Sequence, residues 1–202
     1  MKCFLEVSTL SILVFSAAAS VHAQPNVGPT PSPTPAKIEH STKFDGNLEF
    51  PQISGWTLAP KYIYPTADLG YSVNYESPEG GRVIVYVYNS GQTTIPNALT
   101  GVVVDEMNRA KADIQAAVNS GTYESAKVLR SATVNFGGTS DGLKAIFASY
   151  ELSISGNQLH SEIYVFPYQN YFVKIRATRP KAYATSGVVV DLLAKLGVLF
   201  SR

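Results

Sequence analysis

The sequence RVIVYVY, at positions 82 to 88, places apolar or aromatic side chains on both sides of an extended backbone. Successive side chains of a strand point to opposite faces, and a strand that is apolar on both faces belongs in the interior of a sheet. We therefore expect a central strand here, covered on both faces by helices or loops.

Seven strands and two helices are predicted around this run. The strands are indicated by apolar runs and by alternation with a period of two, at 56–64, 71–76, 82–88, 123–136, 143–154, 159–166 and 172–178. Apolar residues that recur every three or four positions predict a long helix from Asn97 to Ser120, which Gly121 ends. A second helix begins at Thr185 or Ser186 and closes the chain. This order predicts an α+β domain, with a mainly antiparallel sheet flanked by two helices.

The N-terminal part of the sequence has the composition of an export signal followed by a linker. Residues 1–23 have an apolar stretch that ends in the small-x-small pattern Val21-His22-Ala23, which predicts a signal peptide cleaved before Gln24. Residues 24–45 are rich in proline and are expected to form a flexible leader. The remainder, 46–202, is expected to be one domain. We expect a periplasmic or secreted protein, with no transmembrane segment after signal cleavage.

Composition argues against several classes of partner and site. The net charge is +1 and 15% of residues are charged, so no basic excess favours nucleic acid. The one cysteine, Cys3, lies before the predicted cleavage site, so the mature chain has no disulfide or thiolate ligand. Only His40 and His160 remain, without a recognisable metal-ligand spacing. We predict no metal and no cofactor.

The last pair of strands provides the candidate binding site. A turn over 167–171 would place Phe166 opposite Phe172, so that Ile163 and Val165 share a buried face with Ile175 and Val173. On the other face, Glu162 would then oppose Arg176. The binding residues predicted in this way are His160, Glu162, Tyr164, Lys174 and Arg176, together with Tyr168, which is expected to be exposed at the tip of the hairpin.

The order of elements resembles that of the PsbP-like superfamily. The segments that resemble it are Gly55-Trp56 at the first strand, Leu69-Gly70-Tyr71-Ser72-Val73 at the second and Lys174-Ile175-Arg176-Ala177-Thr178 at the last. The resemblance extends from about Gly55 to the end of the chain. It implies an α/β/α sandwich and a secreted or lumenal accessory role, since members are mostly non-enzymatic binding or assembly factors. The superfamily has no shared catalytic residues to transfer to this chain.

No sequence motif of a catalytic site lies between the secondary-structure elements that its chemistry requires. Gly138-Thr139-Ser140-Asp141-Gly142 matches the G-x-S-x-G pattern of hydrolases, but strands are predicted on both sides of Ser140, whereas the motif needs a helix after the serine. The leading hypothesis is an exported non-enzymatic accessory protein that binds an envelope or extracellular protein, or a small ligand. Two alternatives remain open: a small exported hydrolase that uses His160 and Glu162, and a structural envelope component attached through the leader.

Overall fold

The central strand forms where the sequence predicts it, at Arg82–Tyr88, and its neighbour Tyr71–Glu76 also has the predicted bounds. The computed structural model describes residues 38–39, 43–44, 48–138, 142–184 and 187–201. The predicted signal peptide, most of the leader and Ser140 lie outside the described residues, so the predictions made for them stay predictions.

Eleven strands and two α-helices are present in the described residues. The strands are β1 Ile38–Glu39, β2 Lys43–Phe44, β3 Leu48–Glu49, β4 Thr57–Leu58, β5 Lys61–Ile63, β6 Tyr71–Glu76, β7 Arg82–Tyr88, β8 Ser125–Asn135, β9 Lys144–Ile154, β10 Asn157–Tyr168 and β11 Tyr171–Pro180. The helices are α1 Val102–Asn119 and α2 Gly187–Phe200.

Among the described residues, one sheet contains nine of these strands, in the order β1-β5-β6-β7-β11-β10-β9-β8, with β4 also paired to β6. The remaining two, β2 and β3, pair with each other. All the pairings are antiparallel. The two helices pack on opposite faces of the large sheet. Alternating residues of β7, β10 and β11 belong to two separate cores, one with α2 and one with α1. The predicted α+β architecture, an antiparallel sheet flanked by two helices, is confirmed.

The two cores can be followed along β7. Val83, Val85 and Val87 are buried together with Leu192 and Leu196 of α2. On the opposite face, the core is formed by α1 with β9 and β10. Tyr88 at the end of β7 and Phe172 at the start of β11 also belong to this core. Burying a side chain of this size contributes about 1.5–3 kcal/mol, so both helices are held to the sheet mainly by apolar burial.

The α1 face of the sheet is covered over only part of its width. Helix α1 contacts β8, β9 and β10. Tyr88 at the end of β7 is buried in the α1 core, but Ile84 and Tyr86 on the same face are half-buried. The expectation of a central strand covered on both faces therefore holds at Tyr88 and only in part at Ile84 and Tyr86. Beside α1, the face of the sheet formed by β7 and its neighbours is only partly covered.

The last four strands differ from their predicted bounds by one or two residues at an end, and two other elements differ more. The strand expected at 56–64 is divided into β4 and β5 around Ala59 and Pro60, since proline has no N–H to donate to a sheet. Helix α1 begins at Val102, five residues later than the predicted Asn97. Gly101 has a φ of 50°, which an α-helix does not contain, so residues before it cannot continue the helix.

The register of the β10–β11 hairpin differs by one residue from the predicted one. Glu162 lies opposite Ala177, and Arg176 lies opposite Ile163. Residues that lie opposite each other in an antiparallel pair share a face, and their neighbours along the strand point to the other face. Glu162 and Arg176 therefore point to opposite faces of the sheet, and the predicted pairing of these two residues is wrong.

The cause is the length of the turn. Gln169 and Asn170 form a two-residue turn with φ values of 46° and 67°, and Tyr168 pairs with Tyr171. Positive φ at both central residues is the signature of the tight hairpin turn that matches the twist of the strands. The five-residue turn expected over 167–171 would have given the other register.

In the observed register, each face of the hairpin has both apolar and polar side chains. The apolar side chains of both faces are buried, because each face has a core of its own. Ile163 and Val165 are buried in the α1 core, whereas Val173 and Ile175 are buried in the α2 core. Since helices cover both faces, apolar residues on opposite sides of the hairpin are all buried. The prediction assumed one buried face and therefore placed all four residues on it.

A close contact between two glycines joins α2 to the 3-10 turn Phe136–Gly138. A Cβ on Gly197 would lie 2.7 Å from the Cα of Gly137 and 3.3 Å from the carbonyl oxygen of Phe136. Alanine normally stabilises a helix interior relative to glycine by about 0.5–1 kcal/mol. Here we expect Gly197→Ala to lower the free energy of unfolding by about 1–3 kcal/mol, because backbone atoms must move to admit the methyl group.

Urea denaturation of Gly197→Ala measures this difference, with Gly187→Ala as the matched control. A Cβ on Gly187, in the first turn of the same helix, would meet no atom within 4 Å. The control is expected to be as stable as the parent protein or more stable. A Gly197→Ala protein that is equally stable would contradict the contact.

Candidate functional site

The hairpin register separates the sequence-predicted site residues into two groups. His160, Glu162, Tyr164 and Tyr168 point to the α2 side of the sheet, whereas Lys174 and Arg176 point to the α1 side. The predicted single patch therefore does not exist, although each group has contacts of its own. A binding role for either group stays a prediction.

His160 and Glu162 form one ion-pair network with a residue that the sequence reading missed. The Nε2 atom of His160 lies 3.2 Å from Oε1 of Glu162, so the two side chains share a face. Nη1 of Arg179 donates to Oε2 of Glu162 at 3.1 Å. Arg179 also donates from Nε to the carbonyl oxygen of Ala184 at 3.0 Å. The network thus fixes the chain just before α2.

Tyr164 and Tyr168 are used for packing on the α2 side. The Tyr164 ring lies 5.1 Å from the Phe136 ring and 4.9 Å from the Phe147 ring, and burial raises the pKa of its hydroxyl. The Tyr168 ring stands edge-on to Phe200, with ring centroids 5.2 Å apart. Tyr168 is half-buried, so the expectation of an exposed tip residue is wrong.

The second group belongs to the part of the sheet that α1 leaves uncovered. We call this surface the open sheet face. It is formed by side chains of β6, β7 and β11 that lie opposite one another, together with the residue that follows β5: Tyr64, Ser72, Asn74, Ile84, Tyr86, Lys174, Arg176 and Thr178. All of them are half-buried except Ser72, which is buried.

Lys174 lies between two tyrosine rings on the open sheet face. Its Nζ atom is 5.1 Å from the centroid of Tyr86 and 5.2 Å from that of Tyr88, which is the distance range of cation–π contacts. Burial lowers the pKa of Lys174, and the carboxylates of Glu106 and Asp113 on α1 oppose this shift. Among the described residues, no carboxylate forms an ion pair with Lys174.

Arg176 is held by neutral groups. Its Nη2 donates to the hydroxyl of Tyr123 at 2.8 Å, and its Nε donates to Oγ of Ser161 at 3.3 Å. The guanidinium also lies over the Tyr123 ring, 5.8 Å from the centroid. No carboxylate of the described residues pairs with Arg176 either, so the hydrogen bonds orient its charge without neutralising it.

The edge of the open sheet face next to α1 contains a buried carboxylate. Glu106 is 3% exposed and accepts a hydrogen bond from the Tyr88 hydroxyl through Oε1. Nη1 of Arg109 lies 3.3 Å from its other oxygen, Oε2. Burial, and then the neighbouring Glu106, raise the pKa of the Tyr88 hydroxyl, so it stays a donor at neutral pH.

The helical pattern of the sequence contains a signal for Glu106. Val103, Met107 and Ala110 define the buried stripe of α1, and Glu106 lies within that stripe. A charged residue among core positions of a helix needs a partner, which here is Tyr88. Arg109, three residues further along the helix, forms an ion pair with Glu106.

The tyrosine hydroxyls of the open sheet face are neutral near pH 7. Burial raises the pKa of Tyr86 to about 12, and burial is also the largest cause that raises the pKa of Tyr64. Their contribution to a ligand is therefore hydrogen bonding and aromatic contact. Together with Lys174 and Arg176, they make a surface suited to binding an anionic group rather than to proton transfer.

Two features of the described residues bear on other kinds of site. No group of three or more His, Cys, Asp or Glu side chains in this part of the chain could hold a metal ion. Neither α1 nor α2, the helices that the structure describes, has both the length and the apolar character needed to cross a membrane.

The buried Tyr88–Glu106 bond can be tested by removing one hydroxyl. We expect Tyr88→Phe to lower the free energy of unfolding by about 1–3 kcal/mol, because the Glu106 carboxylate then remains buried without its donor. Tyr86→Phe is the control, since the Tyr86 hydroxyl makes no hydrogen bond among the described residues; about 0.5 kcal/mol or less is expected. Urea denaturation measures both, and equal losses would contradict the role of the bond.

Comparison with known proteins gives similarity to solved structures only. No protein-family model matches the sequence, and the comparison with curated proteins gives no match. Among solved structures, the chain is similar to the solution structure of cyanobacterial PsbP (CyanoP) from Synechocystis sp. PCC 6803. The identity is 13%, over 70% of this chain and 80% of that chain, with a TM-score of 0.47. Membership of the PsbP-like superfamily stays a prediction, whereas the α+β architecture is established by the strand order itself.

Proposed function

We propose that this chain is an exported, non-enzymatic accessory domain that binds a protein partner through the open sheet face. The observation that supports this function is the presence of Lys174 and Arg176 on a sheet face without a helix above it, surrounded by tyrosines. Tyrosine and arginine are enriched where proteins bind one another, because they combine contact area with hydrogen bonding.

The shape of the surface favours a protein over a small molecule. Small-ligand sites are concave pockets of about 300–1,000 Å3 that enclose most of the ligand. One cavity, of about 10 Å3, is lined by Trp56 and Arg179, and another, of about 370 Å3, by Tyr168 and Phe200. Neither is lined by Lys174 or Arg176, and an open surface of this kind is better matched by a partner that supplies a surface of its own.

The contacts of Glu162 support a non-enzymatic role. A general base must reach the proton of a substrate with a free oxygen or nitrogen. One oxygen of Glu162 is bound by Arg179, and the other lies against His160. Because Arg179 is only 5% exposed and also binds the Ala184 carbonyl, this network serves the local structure, and nothing favours a hydrolase.

Export is proposed from the sequence of residues 1–23, and the same experiment can report both export and binding. A photoreactive phenylalanine derivative is placed at Ile84 of the full chain, and cells that produce it are irradiated. We expect a discrete adduct of protein mass, recovered outside the cytoplasm, because Ile84 lies on the open sheet face next to Arg176.

The control places the same derivative at Val128 on β8. Val128 is 57% exposed, so random collisions would favour it over the half-buried Ile84. An adduct of comparable yield at Val128, or none at Ile84 in a protein that is folded and exported, would contradict the proposed binding face.

A further inference from the structure

Charges around the open sheet face are balanced except at two positions. Arg82, at the end of β7, lies 3.7 Å from a carboxylate oxygen of Glu76, and Arg109 pairs with Glu106 at 3.3 Å. Lys174 and Arg176 have no such partner among the described residues. Glu106 and Asp113, both on α1, act on Lys174 only at a distance. The surface therefore has two half-buried cations without an ion-pair partner among the described residues.

We infer that the open sheet face recognises an acidic segment of a partner protein, whose carboxylates bind at Lys174 and Arg176. This inference rests on the proposed function and specifies the chemistry of the partner. Complementary charge supplies the orientation of the complex, and the surrounding tyrosines supply contact area.

The spacing of the two cations fits an extended acidic segment. Lys174 and Arg176 are two residues apart on β11 and point to the same face, so their Cα atoms lie roughly 7 Å apart. Alternate side chains of an extended peptide have the same spacing. A segment with an acidic residue at every second position can therefore place one carboxylate at each cation.

The contacts of the two cations favour separate carboxylates over one compact anion. Arg176 already uses its Nε and one N–H of Nη2 for Ser161 and Tyr123, which leaves Nη1 and the other N–H of Nη2 for an oxygen group of a partner. Lys174 is confined between Tyr86 and Tyr88 and acts as a single point of charge. Each cation is thus arranged to receive one oxygen group of its own.

A synthetic peptide provides a direct test. The probe is a fluorescent octapeptide of alternating serine and glutamate with blocked ends, titrated against the purified full chain at about 50 mM salt, where screening is weak. We expect the variant with Lys174→Met and Arg176→Gln to bind at least about tenfold more weakly than the parent protein. The same octapeptide with glutamine in place of glutamate is expected not to bind.

The matched control removes the same charges elsewhere. Lys127→Met with Arg130→Gln neutralises two exposed cations of β8, and we expect a change of less than about twofold. Equal weakening in the two double variants would overturn the inference, since binding would then follow net charge alone. Displacement of the peptide by an equal concentration of inorganic phosphate would overturn it in favour of a compact-anion site.

A measurement on the parent protein covers the case in which the double variant does not fold. In nuclear magnetic resonance spectra, the peptide is expected to change the backbone amide chemical shifts of Tyr86, Lys174 and Arg176 more than those of Lys127 and Arg130. The reverse order would overturn the inference. If the peptide does not bind but the photoadduct at Ile84 forms, the inference of an acidic partner is overturned and the proposed function stands. If the peptide does not bind and no photoadduct forms, the proposed function is overturned as well.

Discussion

The two-residue turn at Gln169 and Asn170 is the constraint on which the arrangement of this protein depends. Both residues have positive φ, and the turn closes directly onto the Tyr168–Tyr171 pair. The amide of Asn170 also binds loop backbone ahead of α1, since Oδ1 accepts from the N–H of Ile95 at 2.7 Å. Because a shift of one residue moves every side chain of a strand to the other face, this turn decides which side chains face α1 and which face α2.

As a consequence of that register, the two faces of the sheet present different kinds of side chain. On the α2 side, the His160–Glu162–Arg179 network and the packing of Tyr164 and Tyr168 hold the final helix in place. On the α1 side, the helix covers β8 to β10 and leaves Lys174 and Arg176 at its margin. The α2 side of β10 is thus used for packing, whereas Lys174 and Arg176 of β11 lie on the α1 side.

The sequence predicted those elements whose pattern is local. Tyr71–Glu76 and Arg82–Tyr88 have the predicted bounds because alternation and apolar runs are decided within the strand itself. The register was not predictable in the same way, since it depends on whether one face or both faces are buried, which is a property of the whole fold. Glu106 was recognisable as a charge within an apolar stripe, but its partner Tyr88 is 18 residues away.

The most direct test of the account is a set of cross-strand nuclear Overhauser effects between the backbones of β10 and β11. Contacts are expected that pair Val165 with Lys174 and Ile163 with Arg176, which places both cations on the α1 side. Contacts that instead pair Val165 with Val173 and Glu162 with Arg176 would contradict it, because the two cations would then be directly opposite the acidic and aromatic residues of β10.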